Sequence, residues 1–273
     1  MTEAEPMSRK LRLQRPDRTH LADFVAGLPQ PASRLGLTHV TTGYLMREIL
    51  DASKIWSPMD CPVLGEPLVY AFYGRAAFRS GRADVPSDLA FQFPAVLILD
   101  PDQTPVPKHV FGFDSGAFMD GRMDDYLDPH MPLFDFHLKP DVASAAALAA
   151  YFFETSEKFW KNQPNANLEA PPSNFELDSY MRMVRAGPSS NRLDDRVSTP
   201  ELIFDQAIDL VPAVRAAVLP DVLAGDPQIG GRLAAAGILV REYEWQSLSR
   251  PAEYHMDIRK LIRGVYDALG WTG

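Results

Sequence analysis

"LTHVTTGYLMREIL", residues 37–50, places a histidine between two threonines and then runs into helical spacing. GLTHV (36–40) reads as a short strand. Thr41 or Thr42 can cap the helix that follows, because a side-chain hydroxyl accepts one of the free N–H groups of a first turn. Leu45, Met46, Ile49 and Leu50 recur at the interval of a buried helical stripe. His39 thus stands at a strand end before a helix N-terminus. Taken alone, that is the place of a turn or cap residue, and it is also a place from which an imidazole can hold a ligand.

Working outward, KIWSP (54–58) closes this unit, and PLVYAFYGR (67–75) has strand character up to Gly74. Alternation puts Leu68, Tyr70 and Phe72 on one face and Val69, Ala71 and Tyr73 on the other. FPAVLILD (93–100) is a continuous apolar run, as in a strand buried on both faces. Residues 100–140, rich in Asp, Pro and Gly, read as long loops. Residues 141–160 predict one strong helix, with Asp141 as its cap and alanine supplying propensity. NQPNANLEAPPSN (162–174) is the best candidate for an internal boundary. FELDSYMRMVRAG (175–187) predicts a short helix stopped by Gly187, and PELIFD (200–205) and AAAGILVREYEW (234–245) each predict a strand. A last helix over about 254–269 carries the stripe Ile258, Leu261, Ile262, Val265 and Leu269. Strands and helices mix without regular alternation, which favours an α+β fold over a doubly wound sheet.

The length of 273 residues suits one large domain or two small ones, and 46% hydrophobic with 23% charged residues is ordinary globular usage. No run of about 18 apolar residues is present, so no membrane span or membrane partner is expected. The polar start, without an apolar signal core, reads as a flexible basic arm and short helix over 1–30. A single cysteine, Cys61, excludes an internal disulfide and a cysteine-based zinc site, and a cytoplasmic protein is the simplest reading. The net charge of −9, from 27 basic and 36 acidic residues, does not advertise nucleic-acid binding, which needs a basic surface. Two basic clusters, Arg9, Lys10, Arg12, Arg15 and Arg18, and Arg75, Arg79 and Arg82, read first as solvated surface.

Common chemistry-bearing motifs are missing. There is no Walker loop, no G-x-G-x-x-G fingerprint, no G-x-S-x-G elbow and no H-E-x-x-H, and GDPQIGGRL (225–233) lacks a strand–glycine–helix context. His130, Asp135 and His137 in DPHMPLFDFH fit no common metal spacing, so no metal is expected. Asp100 and Asp102 read as turn residues after a strand. Glu242 and Glu244, two apart, would share one strand face and read as exposed glutamates.

Three other segments gain meaning together: LTHVTTGYLMREILDASKIWS (37–57), LVYAFYGRAAFR (68–79) and DDRVSTPELIFDQAIDLVPAVRAAVLP (194–220). In this order and spacing the chain resembles the ADP-ribosyltransferase fold, and most nearly the DarT-like toxins that attach ADP-ribose to bases of single-stranded DNA. The resemblance implies a single domain over 31–273 with a split, bent sheet, flanking helices and a long insert at about 100–195. It implies NAD as co-substrate, a DNA or protein acceptor, and a toxin or phage-defence setting with an antitoxin or immunity partner. His39 would match the histidine that contacts the nicotinamide-side ribose, with Thr41 beside it. Tyr70 or Tyr73 would match the aromatic that stacks on nicotinamide. Arg75, with Arg79 as a rival, would match the arginine after the aromatic–Gly step, and Glu201 would match the catalytic glutamate.

The chemistry fits these residue types. Cleaving the nicotinamide–ribose bond leaves positive charge on the sugar, which a nearby carboxylate stabilises, and the same carboxylate can deprotonate an incoming nucleophile. An aromatic face can hold the nicotinamide ring. A neutral histidine can hydrogen-bond ribose hydroxyls, and an arginine supplies paired donors to a pyrophosphate. The expectation is therefore transfer of ADP-ribose from NAD to a macromolecule. The alternatives are a non-catalytic NAD-binding protein and an unrelated structural or interaction protein of the same class.

Overall fold

A computed structural model describes residues 19–32, 34–77, 83–186 and 194–272. Arg9, Lys10, Arg12, Arg15 and Arg18, the pair Arg79 and Arg82, and Gly187 lie outside the described residues. The chain divides into two compact units, Met1–Ala32 with Asp60–Glu66 and Pro107–Leu202, and Ser33–Met59 with Pro67–Val106 and Ile203–Gly273. Most of the expected insert at 100–195 falls in the first of these.

In the second unit, β1 (Leu37–Thr42) runs into α2 (Gly43–Ala52); α1 (His20–Ala26) precedes them in the first unit. β2 (Lys54–Ile55), β3 (Val69–Tyr73) and β4 (Pro94–Leu99) follow, then β7 (Ile208–Asp209), β8 (Val214–Pro220), α7 (Asp221–Ala224), α8 (Gly230–Ala235), β9 (Leu239–Tyr243) and α9 (His255–Leu269). The strand order β3-β1-β4-β8-β9 makes a large mixed sheet: β1–β3, β1–β4 and β4–β8 are antiparallel, β8–β9 parallel. β2 and β7 pair separately. The long apolar run sits where expected, since β4 is central and Ala95 to Leu99 are fully buried. Between β8 and β9, Gly230 is required by a close approach, for a Cβ there would lie 1.8 Å from the Ala224 carbonyl oxygen. α9 packs on β8 and β9 through Ile258, Ile262, Val265 and Tyr266. Leu261 and Leu269 are only half-buried, because the aromatic Tyr266 completes the stripe.

Three expectations around α2 are refined, the first being that His39 ends the strand: β1 runs on to Thr42 and His39 lies inside it, opposite Leu97. Thr42, not Thr41, is the cap, its Oγ1 accepting from the Leu45 N–H at 3.4 Å. Thr41 is still in the strand and buried. Leu45 is exposed, so the buried stripe is Met46, Ile49 and Leu50 with Gly43. The antiparallel ladder between β1 and β3 is short. Leu37 opposes Tyr73 and Thr38 opposes Phe72, whereas β1 pairs with β4 over all six residues from Leu37 to Thr42.

The first unit is built on aromatic packing. β5 (His109–Phe111), α3 (Ser115–Met119), α4 (Val142–Phe153), α5 (Ser156–Trp160) and α6 (Phe175–Ala186) lie in it, and β6 (Glu201–Phe204) starts in it and ends in the second, with Glu201 and Leu202 on the first side of the division. Residues 100–140 are therefore more structured than their composition predicts. Phe113 packs on Phe118, Phe136 and Tyr180, and the Tyr180 hydroxyl donates to the Gly112 carbonyl at 2.8 Å. The single helix expected over 141–160 is two. Asp141 caps α4 as predicted, its Oδ1 accepting from the Ser144 N–H at 2.7 Å. Glu154 then takes φ of 61°, and Thr155 caps α5. Loop 162–174 is no boundary. It stays inside the first unit, where the Asn165 N–H donates to the Phe152 carbonyl and Asn174 Nδ2 to the His20 carbonyl.

Candidate functional site

Where the β1–β3 ladder stops, a side chain takes over. His39 Nδ1 lies 2.7 Å from the Tyr70 carbonyl oxygen. A carbonyl only accepts, so Nδ1 carries the proton and Nε2 of the neutral ring is left as an acceptor. Burial holds the His39 pKa below its ordinary value, against the opposing pull of the Tyr70 carbonyl, and so favours that neutral form. His39 as a residue is half-buried.

The strand faces sort the candidates. Leu37 opposes Tyr73, so Leu37, His39 and Thr41 share a face with Tyr73 and Ala71, while Tyr70 and Phe72 lie on the other. The two tyrosines therefore cannot stand in for one another. Tyr73 is a core residue: its hydroxyl accepts the Leu35 N–H at 3.0 Å, and burial pushes its pKa up to about 12. Tyr70 is half-buried, the more exposed residue of the two. Arg75 follows Gly74, whose φ of 73° makes the turn, but it is no solvated turn residue, because its relative exposure is 0%. Its backbone is locked from both sides, N–H to the Tyr73 carbonyl and carbonyl to Thr38 Oγ1, each at 2.8 Å. As folded, the guanidinium does not reach solvent, so contact with a pyrophosphate requires this turn to rearrange.

Glu201 belongs to a separate cluster inside the first unit. Its carboxyl is 2% exposed, and Oε2 accepts the Ser115 N–H at 3.0 Å. Asp114, also buried, caps the same turn, Oδ1 accepting the Ala117 N–H at 2.9 Å, while its own N–H donates to the Arg196 carbonyl. Arg196 clamps Asp194, with Nε 2.9 Å from Oδ1 and Nη2 2.6 Å from Oδ2. Burial first, and the Asp114 charge second, push the Glu201 pKa well above the ordinary carboxylate range, against the Ser115 donors. Asp114 is raised too, by burial, with the Ala117 N–H and Arg196 opposing. Both shifts favour the protonated form of this pair at pH values where a free carboxyl is ionised.

Asp114, Ser115 and Arg196 are not among the residues singled out from sequence. A signal exists in FDSGAFM (113–119), where an aspartate stands three residues before the N–H it caps. Arg196 lies within the quoted third segment. The two clusters lie in different units: His39, Thr41, Tyr70, Tyr73 and Arg75 in the second, Glu201 in the first.

The other candidates resolve plainly. His130 is exposed beside Asp128, Asp135 is buried, and His137 Nε2 sits 3.2 Å from His109 Nδ1. Among the described residues no three His, Cys, Asp or Glu side chains gather as a metal site. Asp100 does act as a turn residue, accepting from the Asp102 N–H, and Glu242 and Glu244 are exposed. Among the described residues, no helix is long and apolar enough to cross a membrane. No family model, curated protein or solved structure matches this chain.

Proposed function

We propose that this protein cleaves NAD and transfers ADP-ribose to a macromolecular acceptor, a DNA base or a protein side chain, releasing nicotinamide. The observation that carries the reading is His39. It is fixed in one tautomer by the Tyr70 carbonyl where the β1–β3 ladder ends, with Nε2 left to accept from a ribose hydroxyl. Glu201 is the candidate carboxyl, and Tyr70, half-buried, stands on the opposite strand face from His39, so it stacks on a nicotinamide held by His39 only if β3 leaves its present register. In the reaction the C1′–N bond breaks, its electron pair leaves with nicotinamide, and the acceptor nucleophile bonds to C1′ as its proton passes to Glu201. The cationic nicotinamide of NAD favours the ionised form of a nearby carboxyl. The net charge of −9 favours a protein acceptor over DNA, whereas the DarT resemblance favours DNA.

The test is nicotinamide release from NAD by the wild-type chain and by Glu201→Gln and His39→Ala, offered single-stranded DNA or protein. The expected result is release by wild type and a loss of about a hundredfold or more in Glu201→Gln, the scale of a lost general base. Equal turnover by wild type and Glu201→Gln removes Glu201 from its role.

A second reading rests on burial. Tyr73, Arg75 and Glu201 are almost wholly enclosed, and Glu201 caps a backbone turn, as in a structural protein of the same α+β class. Absence of both NAD binding and nicotinamide release selects that reading.

A further inference from the structure

Glu201 does not stand alone, and a count of charges around it has a consequence. Asp114 and Ser115 are consecutive residues. The Ala117 N–H holds the carboxyl of Asp114, and the Ser115 N–H holds that of Glu201, so one backbone turn seats both carboxyls. Asp114 is 6% exposed, Glu201 2% and Ser115 1%. Among the described residues, the other charged groups that act on the pair come from 194–196. They are Arg196, already bound through two of its nitrogens to Asp194, and Asp194 itself, with Asp195 acting in turn on Arg196. The one cation acting on the pair is thus shared with a third carboxylate, and full ionisation would leave Asp114 and Glu201 as two buried negative charges against a cation already engaged by Asp194. Such a pair keeps a proton, because desolvation and like-charge repulsion both oppose the second ionisation. The buried Ser115 hydroxyl lies beside the same carboxyl and, with the Ser115 N–H, favours its ionised form, without offsetting burial and the Asp114 charge.

We propose that Asp114 and Glu201 form one buried carboxyl pair sharing a single proton, with Asp114 the positioning residue that decides when Glu201 becomes a carboxylate. For the kinetic consequence this rests on the reading of Glu201 as the base of an NAD-cleaving reaction. Glu201 can take the proton of an acceptor nucleophile only after losing its own, and Asp114, as a fixed negative neighbour, delays that loss to higher pH. Activity then rises with pH along a limb set by the pair and not by either residue. Asn is the variant of choice at position 114, since it caps a helical turn about as well as Asp and removes only the charge.

The experiment uses the full chain with isotope-labelled carboxyl carbons, titrated by NMR as wild type and as Asp114→Asn, the Glu201 resonance being assigned by its loss in Glu201→Gln. The expected result is a wild-type Glu201 that titrates above the other glutamates, and a midpoint in Asp114→Asn lower by about one pH unit or more, the effect of removing an adjacent like charge. A wild-type Glu201 that titrates with the other glutamates, or an unchanged midpoint in Asp114→Asn, overturns the pair. The companion measurement is the pH profile of nicotinamide release. In Asp114→Asn its acid limb moves down by the same interval, so that on the wild-type limb the variant is about tenfold faster. An active variant with an unmoved limb overturns the positioning role. If wild type releases no nicotinamide at any pH, the enzymatic reading fails by itself, and the titration still decides the pair.

Discussion

Glu201 and Tyr73 show how burial changes what a residue type means. Both suit an NAD site by chemistry, and both are enclosed and hydrogen-bonded to backbone N–H groups, of Ser115 and Leu35 respectively. For Glu201 the sign of the linkage follows. Its folded pKa is raised, so its contribution to stability is complete below the unfolded carboxyl pKa and is lost as pH rises through the folded value. Glu201→Gln mimics the protonated form and keeps the acceptor for Ser115. The variant should match wild type in mildly acid thermal melts and exceed it increasingly toward neutral pH, by up to about 1.4 kcal/mol per pH unit within that window. A constant difference across pH would show that Glu201 is ionised in the fold. Tyr73→Phe leaves the buried Leu35 N–H without its acceptor and should cost about 1–3 kcal/mol in denaturant unfolding. Nicotinamide release per folded molecule should stay unchanged, since the variant removes only the hydroxyl that serves the Leu35 N–H.

At the scale of elements, most of what is local was legible and its ends were not. Asp141 was readable as a cap because a short acidic side chain before an alanine-rich run has one favourable use, and it makes that bond. Asp141→Ala should lower stability by about 1 kcal/mol. The break at Glu154 was not readable. Local propensity favours continuing, and the chain turns because Phe159 and Trp160 bury, with Phe159 set edge-to-face on Phe153. The same cause explains 100–140, where Phe111, Phe113, Phe118 and Phe136 order a segment whose Asp, Pro and Gly content suggests loop. Gly230 is set by backbone approach. Gly230→Ala forces the chain away from Ala224 and should destabilise the second unit by about 1–3 kcal/mol, read as a lower midpoint at unchanged denaturant slope.

At the scale of the whole molecule, NAD is the deciding reagent. A ligand that binds only the native state raises its apparent stability by about 2.7 kcal/mol at a hundred times its dissociation constant. Wild type should melt higher with saturating NAD, and His39→Ala should lose most of that shift while keeping its ligand-free melting temperature within a few degrees. No shift in wild type would leave the structural reading standing. The acidic balance adds that any stimulation by single-stranded DNA should fall steeply with salt, since it has to come from local basic contacts.

The sequence by itself determined the α+β class, the central apolar strand β4, the strand–helix unit at 37–50, the final helix and the identity of the candidate residues. These follow from periodicity and from capping chemistry, which act over a few neighbours. Tertiary structure alone decided which of those residues are accessible. It put Tyr70 and Tyr73 on opposite faces through one register pairing, closed Arg75 away from solvent, ended the β1–β3 ladder after Thr38 so that His39 bonds the Tyr70 carbonyl, and set Asp114 beside Glu201 across 86 intervening steps of chain for its neighbour Ser115. Register, burial and charge pairing depend on which distant segments meet, and that is settled by packing the whole core rather than by any local stretch.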